Sequence, residues 1–165
     1  MGAVKLIIFS GLPGTGKTTL ARRLAVELGA AYLRADTIEQ ALREGGLADD
    51  EIGGRGYLVG YRVATENLRL GLSVIADSVN PWQLTRDCWR QAALEADVPF
   101  LDVEVMCSDR EEHRRRIETR QSDISGFVLP NWEQVIDRDY HAWDNEPIRI
   151  DTAGRTVKGP DTSAR

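Results

Sequence analysis

Gly11-Leu12-Pro13-Gly14-Thr15-Gly16-Lys17-Thr18 fits the pattern G-x-x-x-x-G-K-[ST] of a phosphate-binding loop. Ahead of it Val4-Lys5-Leu6-Ile7-Ile8-Phe9 is apolar and β-branched, the mark of a buried strand. Behind it Thr18 to Leu28 carries Leu20, Leu24 and Leu28 at helical spacing, and Gly29 stands where a helix ends. The three glycines let the backbone turn tightly and aim N–H groups at an anion. The helix N-terminus adds partial positive charge. The spacing assigns Gly11, Pro13, Gly14, Thr15, Gly16, Lys17, Thr18 and Thr19 to nucleotide phosphates. Lys17 would reach the β- and γ-phosphates and the Thr18 hydroxyl would hold Mg²⁺.

Outward from that loop, strand-like and helical stretches alternate. Ala31–Leu33 reads as a second strand and Thr37–Glu44 as a short helix. Gly53-Gly54-Arg55-Gly56 reads as a flexible junction. Tyr57–Leu70 follows as a helix with Leu58, Tyr61, Ala64 and Leu68 on one side. Leu72–Ala76 is a third strand ending at Asp77, Pro81 opens a helix to Ala96, and Phe100–Met106 is a fourth strand. Ser108 or Asp109 caps an Arg-rich helix. Asn131 begins a helix through Trp143, and Ile148–Ile150 is the last strand. Such alternation predicts an α/β fold, a parallel sheet with helices on both faces and the ligand beyond the strands' C-terminal ends.

With 165 residues the chain suits one domain, expected over 1–154, with a polar tail over 155–165. A formal charge of −5 carries no signature of bulk nucleic-acid or membrane binding. No apolar run reaches membrane-spanning length, and the chain enters a strand without a leader-like segment. Cys88 and Cys107 lack metal-ligand spacing and read as buried free thiols. These features together predict a cytoplasmic protein. Oligomeric state is not legible.

Absences narrow the class. No Asn-Lys-x-Asp guanine reader occurs, and Asp77 is followed by Ser78 rather than by a glutamate that would activate water. What remains is a small phosphotransferase moving the γ-phosphate of Mg·ATP to a hydroxyl, which needs a carboxylate, a metal anchor and arginines. Asp36, just after the second strand, is the candidate carboxylate, or else a cap for the helix behind it. Asp77, ending the third strand, is the candidate magnesium anchor, or else a turn residue. Arg110, Arg114, Arg115, Arg116 and Arg120 crowd one helix, with Arg116 and Arg120 four apart. They read as a lid over phosphates, with Gln121–Leu129 its mobile part, or as a solvated helix face. His113 and His141 have no partner at catalytic spacing.

These motifs give the chain a resemblance to the small P-loop kinases grouped with AAA-type ATP-binding proteins. That group is similar to polynucleotide 5′-hydroxyl kinases, chloramphenicol phosphotransferase, gluconate kinase and adenylylsulfate kinase. Besides the loop, the resemblance rests on Arg34–Glu39, Val74–Pro81, Cys107–Asp109, Arg116 and Arg120, Leu129–Trp132 and Ile150–Thr152. It implies a P-loop NTPase fold, a five-stranded parallel sheet in the order 2-3-1-4-5 under an Arg-rich lid. It implies Asp36 as the base for the acceptor hydroxyl, with Lys17, Arg116 and Arg120 as its catalytic companions and adenine near Thr152–Gly154. Several relatives have an arginine three residues after the aspartate, where this chain has Glu39. The expected acceptor is therefore a small neutral or cationic alcohol, with Tyr57, Tyr61, Arg62, Asn80 and Trp82 as its wall. A polynucleotide 5′-hydroxyl end, or a nucleotide switch without transfer, are the alternatives.

Overall fold

In a computed structural model, which describes residues 2–156, the apolar run ahead of the loop is β1, Leu6–Ser10, buried throughout. The order continues with α1 (Lys17–Leu28), β2 (Ala31–Arg34), α2 (Ala35–Glu44), α3 (Asp49–Ile52) and α4 (Arg55–Arg69). Then come β3 (Val74–Asp77), α5 (Gln83–Glu95), β4 (Phe100–Met106), α6 (Arg110–Thr119), α7 (Trp132–Ile136) and β5 (Ile148–Asp151). The sheet runs β2-β3-β1-β4-β5 with every neighbouring pair parallel, the expected P-loop NTPase order.

Strand alternation builds two cores, one on each face of that sheet. Leu6 and Ile8 of β1 join Val74 and Ala76 of β3 against Ala64 and Leu68 of α4 and Trp89 and Ala93 of α5. Ile7, Phe9, Ile75, Val103 and Val105 face the other way and pack on Ala21 and Ala25 of α1. The central strand is therefore apolar from Leu6 to Phe9 and buried throughout, and its C-terminal end delivers the loop.

Several local expectations change. In α4 the buried stripe is Gly56, Gly60, Ala64, Thr65 and Leu68, whereas Leu58 is 53% exposed. Close approach decides this. A Cβ on Gly60 would lie 2.8 Å from the Trp89 ring, and one on Gly56 would lie 2.6 Å from Glu39 Cγ. The run Gly53–Gly56 is thus no single hinge, because Arg55 and Gly56 already belong to α4. Trp82, not Pro81, holds the N-cap position of α5. The helix expected through Trp143 stops at Ile136. Beyond it the chain is tied by tertiary bonds instead. Arg86 donates to the carbonyls of His141 and Ala142, and Tyr140 and Trp143 both donate to Glu104. Cys88 and Cys107 are free and half-buried rather than buried. Among the described residues no helix is long and apolar enough to cross a membrane. Of the expected tail, 157–165 lies outside the described residues. Arg155 is still tied in, its N–H reaching the Thr152 carbonyl at 3.0 Å.

Candidate active site

The loop from Gly11 to Gly16 joins β1 to α1, and three elements distant in sequence hold it. The Gly11 N–H donates to the Val79 carbonyl at 3.1 Å. The Thr152 hydroxyl donates to the Thr15 carbonyl at 2.6 Å. His113 of α6 meets the Pro13 carbonyl through Nε2 at 2.7 Å, so that nitrogen carries the hydrogen. Its ring stands edge-on to Trp132, 5.2 Å between centroids. Gly11 has φ +142°, and a Cβ there would lie 2.2 Å from the Val105 carbonyl oxygen, so no other residue fits the start of the loop.

Lys17 and Asp77, expected on phosphate and metal, are partners in this structure. Lys17 Nζ lies 2.9 Å from Asp77 Oδ1, with the two side chains 9% and 1% exposed. The Tyr32 hydroxyl donates to Asp77 Oδ2 at 2.5 Å. Burial alone would push the Asp77 carboxyl up. The Lys17 charge and the bonds from Tyr32, Lys17 and Thr18 outweigh it and hold the group below the usual carboxylate range. Burial, and then the Asp77 charge, push the Tyr32 phenol well above its ordinary value, so it stays a proton donor.

A cleft of about 940 Å³ opens over the loop. Pro13, Gly14, Gly16, Lys17, Thr18 and Thr19 line it, while Gly11 and Thr15 lie beneath its surface and Asp77 beneath Lys17. Asp36 lines it as well. It is the second residue of α2, whose N-cap position is taken by Arg34, so Asp36 is not the cap. Arg116 and Arg120 both reach the cleft but do different things. Arg116 donates to the Thr152 hydroxyl and carbonyl, each at 2.8 Å, and to Glu112 at 2.7 Å. Through Thr152 it braces the loop. Arg120 has left the helix, as the C-cap of α6 with extended backbone, and its Nε and Nη2 are buried without an acceptor among the described residues. Burial pulls its guanidinium down, the Asp36 charge opposes this, and Arg34 adds to the lowering. Arg120 therefore shares its field with Asp36.

The far wall of the cleft is not the expected one. Tyr57, Tyr61, Arg62, Asn80 and Trp82 do not line it. Tyr57 accepts the Asn80 N–H at 2.9 Å, and Tyr61 packs edge-on to Trp89. Burial pushes the Tyr57 phenol up to about 12. The wall is instead Glu39, Arg43, Val79, Phe127 to Pro130, Gln134 and Arg138. Arg22, Arg34 and Asp123 complete the rim. In a chain of charge −5 the cleft is lined by eight basic and four acidic side chains. Among the described residues no three His, Cys, Asp or Glu side chains cluster as metal ligands. The Thr18 hydroxyl and the Asp77 carboxylate are hard oxygen donors side by side under the loop, the kind of pair that holds Mg²⁺ together with phosphates.

Sequence reasoning missed His113, Tyr32 and Arg22, whereas the expected lid segment Gln121–Leu129 does line the cleft, through Gln121, Asp123 and Phe127 to Leu129. Strand periodicity carried a signal for Tyr32. It and Arg34 alternate onto one face of β2, and Arg34 is in register with Asp77. His113 carried none, because its partner Pro13 is about a hundred residues away.

A family profile described as an AAA domain matches residues 6–138. Among curated proteins the chain is 28% identical over 162 residues to the probable adenylyl-sulfate kinase of Aeropyrum pernix, covering 93% of this chain and 86% of that one. It is 36% identical over 117 residues to an uncharacterized protein of Mycobacterium tuberculosis. That match covers 64% of this chain and only 23% of the longer mycobacterial protein. Among solved structures, the Mycobacterium tuberculosis APS kinase CysC in complex with AMPPNP and APS aligns with a TM-score of 0.64 at 22% identity. The alignment covers 95% of this chain and 92% of the other, and it is a likeness of fold.

Proposed function

The chain belongs to the AAA domain family, among its small P-loop kinases, and on that premise we propose that it transfers the γ-phosphate of Mg·ATP to the hydroxyl of a small molecule. The convergence of Asp36, Lys17, Thr18 and Arg120 on one cleft carries this reading. A single kinase domain over 1–154 would perform the reaction.

The loop amides and Lys17 bind the β- and γ-phosphates, Lys17 leaving Asp77 to do so. Thr18 and Asp77 are the groups that would hold Mg²⁺, which would neutralise phosphate charge on binding with ATP. Asp36 accepts the proton of the acceptor hydroxyl as its oxygen bonds to the γ-phosphorus. The bond from that phosphorus to the bridging oxygen breaks, and the electron pair leaves with ADP. Arg120, with no protein acceptor for Nε and Nη2 among the described residues, supplies donors to the phosphoryl group in flight. Arg116 holds the end of β5 against the loop and so positions the nucleotide.

The test is transfer from γ-labelled Mg·ATP to a panel of alcohols, sugars, antibiotics and 5′-hydroxyl oligonucleotides. Label on one acceptor class is expected. Asp36→Asn should lower kcat by about 10²–10⁴-fold with ATP affinity retained. Label in no acceptor, or an Asp36→Asn variant as fast as the parent, overturns the reading.

A further inference from the structure

The inference concerns the acceptor and rests on the kinase reading above. Arg34, at the end of β2, and Arg22, on α1, send their Nη1 atoms to one oxygen. Arg34 lies 2.8 Å and Arg22 3.2 Å from Asp123 Oδ2. Asp123 belongs to the segment that crosses the cleft between α6 and α7. A guanidinium has about five N–H donors in a fork that suits an oxyanion. A single carboxylate oxygen leaves most of those of two arginines unused. Arg34 Nε is buried without an acceptor among the described residues, as are Nε and Nη2 of Arg120, which lines the same cleft. Buried charged donors of this kind are costly to leave unmade, and such a group of them asks for an anion.

We infer that Arg34 and Arg22, together with Arg120 of the same cleft, form an anion site for the acceptor, and that Asp123 occupies it as an internal carboxylate until the acceptor's own oxyanion replaces it. The acceptor is then an alcohol that also carries a carboxylate, sulfate or phosphate, rather than the neutral or cationic one that Glu39 suggests. Glu39 does not stand against an anion there. Burial and Asp36 push its carboxyl up, while Arg43 and Arg138 supply the nearby positive charge that offsets it. Asp123 is half exposed and sits on a segment with no helix or strand of its own, so its displacement disturbs no core.

The site is tested without turnover by saturating the protein with Mg·AMPPNP, which fills the loop, and titrating sulfate by calorimetry at constant ionic strength. One sulfate per chain is expected. Asp123→Asn should bind it about tenfold tighter, because the competitor is gone. Arg34→Met and Arg22→Met should each lose about tenfold or more. AMPPNP affinity should stay unchanged in all three variants, which reports on folding.

A second arm compares matched acceptors with and without the oxyanion: sugar and sugar phosphate, aldose and aldonate, alcohol and sulfate ester. The parent should prefer one anionic class by kcat/KM. Arg34→Met should lower kcat/KM for the anionic partner by about tenfold or more and so erase that preference. Absence of sulfate binding in both parent and Asp123→Asn overturns the site, as does sulfate binding indifferent to Arg34→Met and Arg22→Met. Sulfate binding as expected, with no transfer to any acceptor, supports the anion site and rejects the kinase reading instead.

Discussion

Lys17 Nζ lies 2.9 Å from Asp77 Oδ1 under the phosphate-binding loop, both side chains almost wholly buried. The residue assigned to the transferred phosphates and the one assigned to their metal are each other's partner, and Tyr32 completes the carboxylate's bonding. Removing either charge strands the other in a dry site.

Lys17→Met and Asp77→Asn should therefore each destabilise the protein by about 3–5 kcal/mol, the usual result of breaking a buried pair from one side. The double variant should lose less than the two singles together, by about 0.5–3 kcal/mol. Urea unfolding of the four proteins at neutral pH measures this. Strict additivity would show that the pair contributes nothing to the fold.

The same pair sets an acid limit. The Asp77 carboxyl is held below its ordinary value in the folded chain. Its contribution is complete above that ordinary value, about 3.9, and is lost as pH falls through the folded value. The stability gap between the parent and Asp77→Asn should be flat well above that value and should narrow below it. Tyr32→Phe, which removes one donor and so raises the folded value, should leave the onset in place, make the gap smaller and end its narrowing at a higher pH. Unfolding curves across an acid pH series check both, and a gap that stays constant into acid contradicts the assignment.

His113→Ala should weaken nucleotide binding more than it slows chemistry. The variant loses the bond to the Pro13 carbonyl and the edge-on contact with Trp132. A lost buried hydrogen bond is worth about 1–3 kcal/mol, which is about 5- to 150-fold in Kd if the loop bears all of it. Nucleotide titration against single-turnover rates separates binding from chemistry, and an unchanged Kd would mean that the brace is dispensable.

Gly60→Ala and Gly56→Ala should behave differently although both lie in α4. At Gly60 the new Cβ meets the Trp89 ring at 2.8 Å, and that ring is fixed in the core. Destabilisation of about 1–3 kcal/mol is expected from overpacking. At Gly56 the obstacle is the flexible Glu39 side chain, and alanine gains about 1 kcal/mol of helix propensity over glycine. There the thermal midpoint should move little. Glu39 lines the cleft, so the acceptor KM should change instead.

Some of this was legible in single stretches. The loop, β1, α1 and its Gly29 ending follow from local pattern, because glycine spacing and 3.6-residue periodicity act within a turn or two. Asp109 as the cap of α6 is equally local; its carboxylate takes the Glu111 and Glu112 N–H groups at 3.0 Å. The expected helix through Trp143 fails for the opposite reason. Its continuation depended on Arg86, which lies on another helix and takes the carbonyls of His141 and Ala142. Apolar periodicity places Leu58 on one side with Tyr61, Ala64 and Leu68, but it cannot reveal that Gly56 and Gly60 face Glu39 and Trp89.

The amino-acid sequence by itself determined the α/β alternation and the phosphate-binding loop, since these rest on steric and periodic rules between near neighbours, and its resemblance to small P-loop kinases implied the strand order that the sheet shows. Only the tertiary structure decided the division of labour. Arg116 is drawn to Thr152 and away from Arg120, His113 closes on Pro13, and Arg22 and Arg34 meet on Asp123. Those pairings join residues far apart along the chain, and nothing short of the folded sheet and its crossovers brings their side chains within reach of one another.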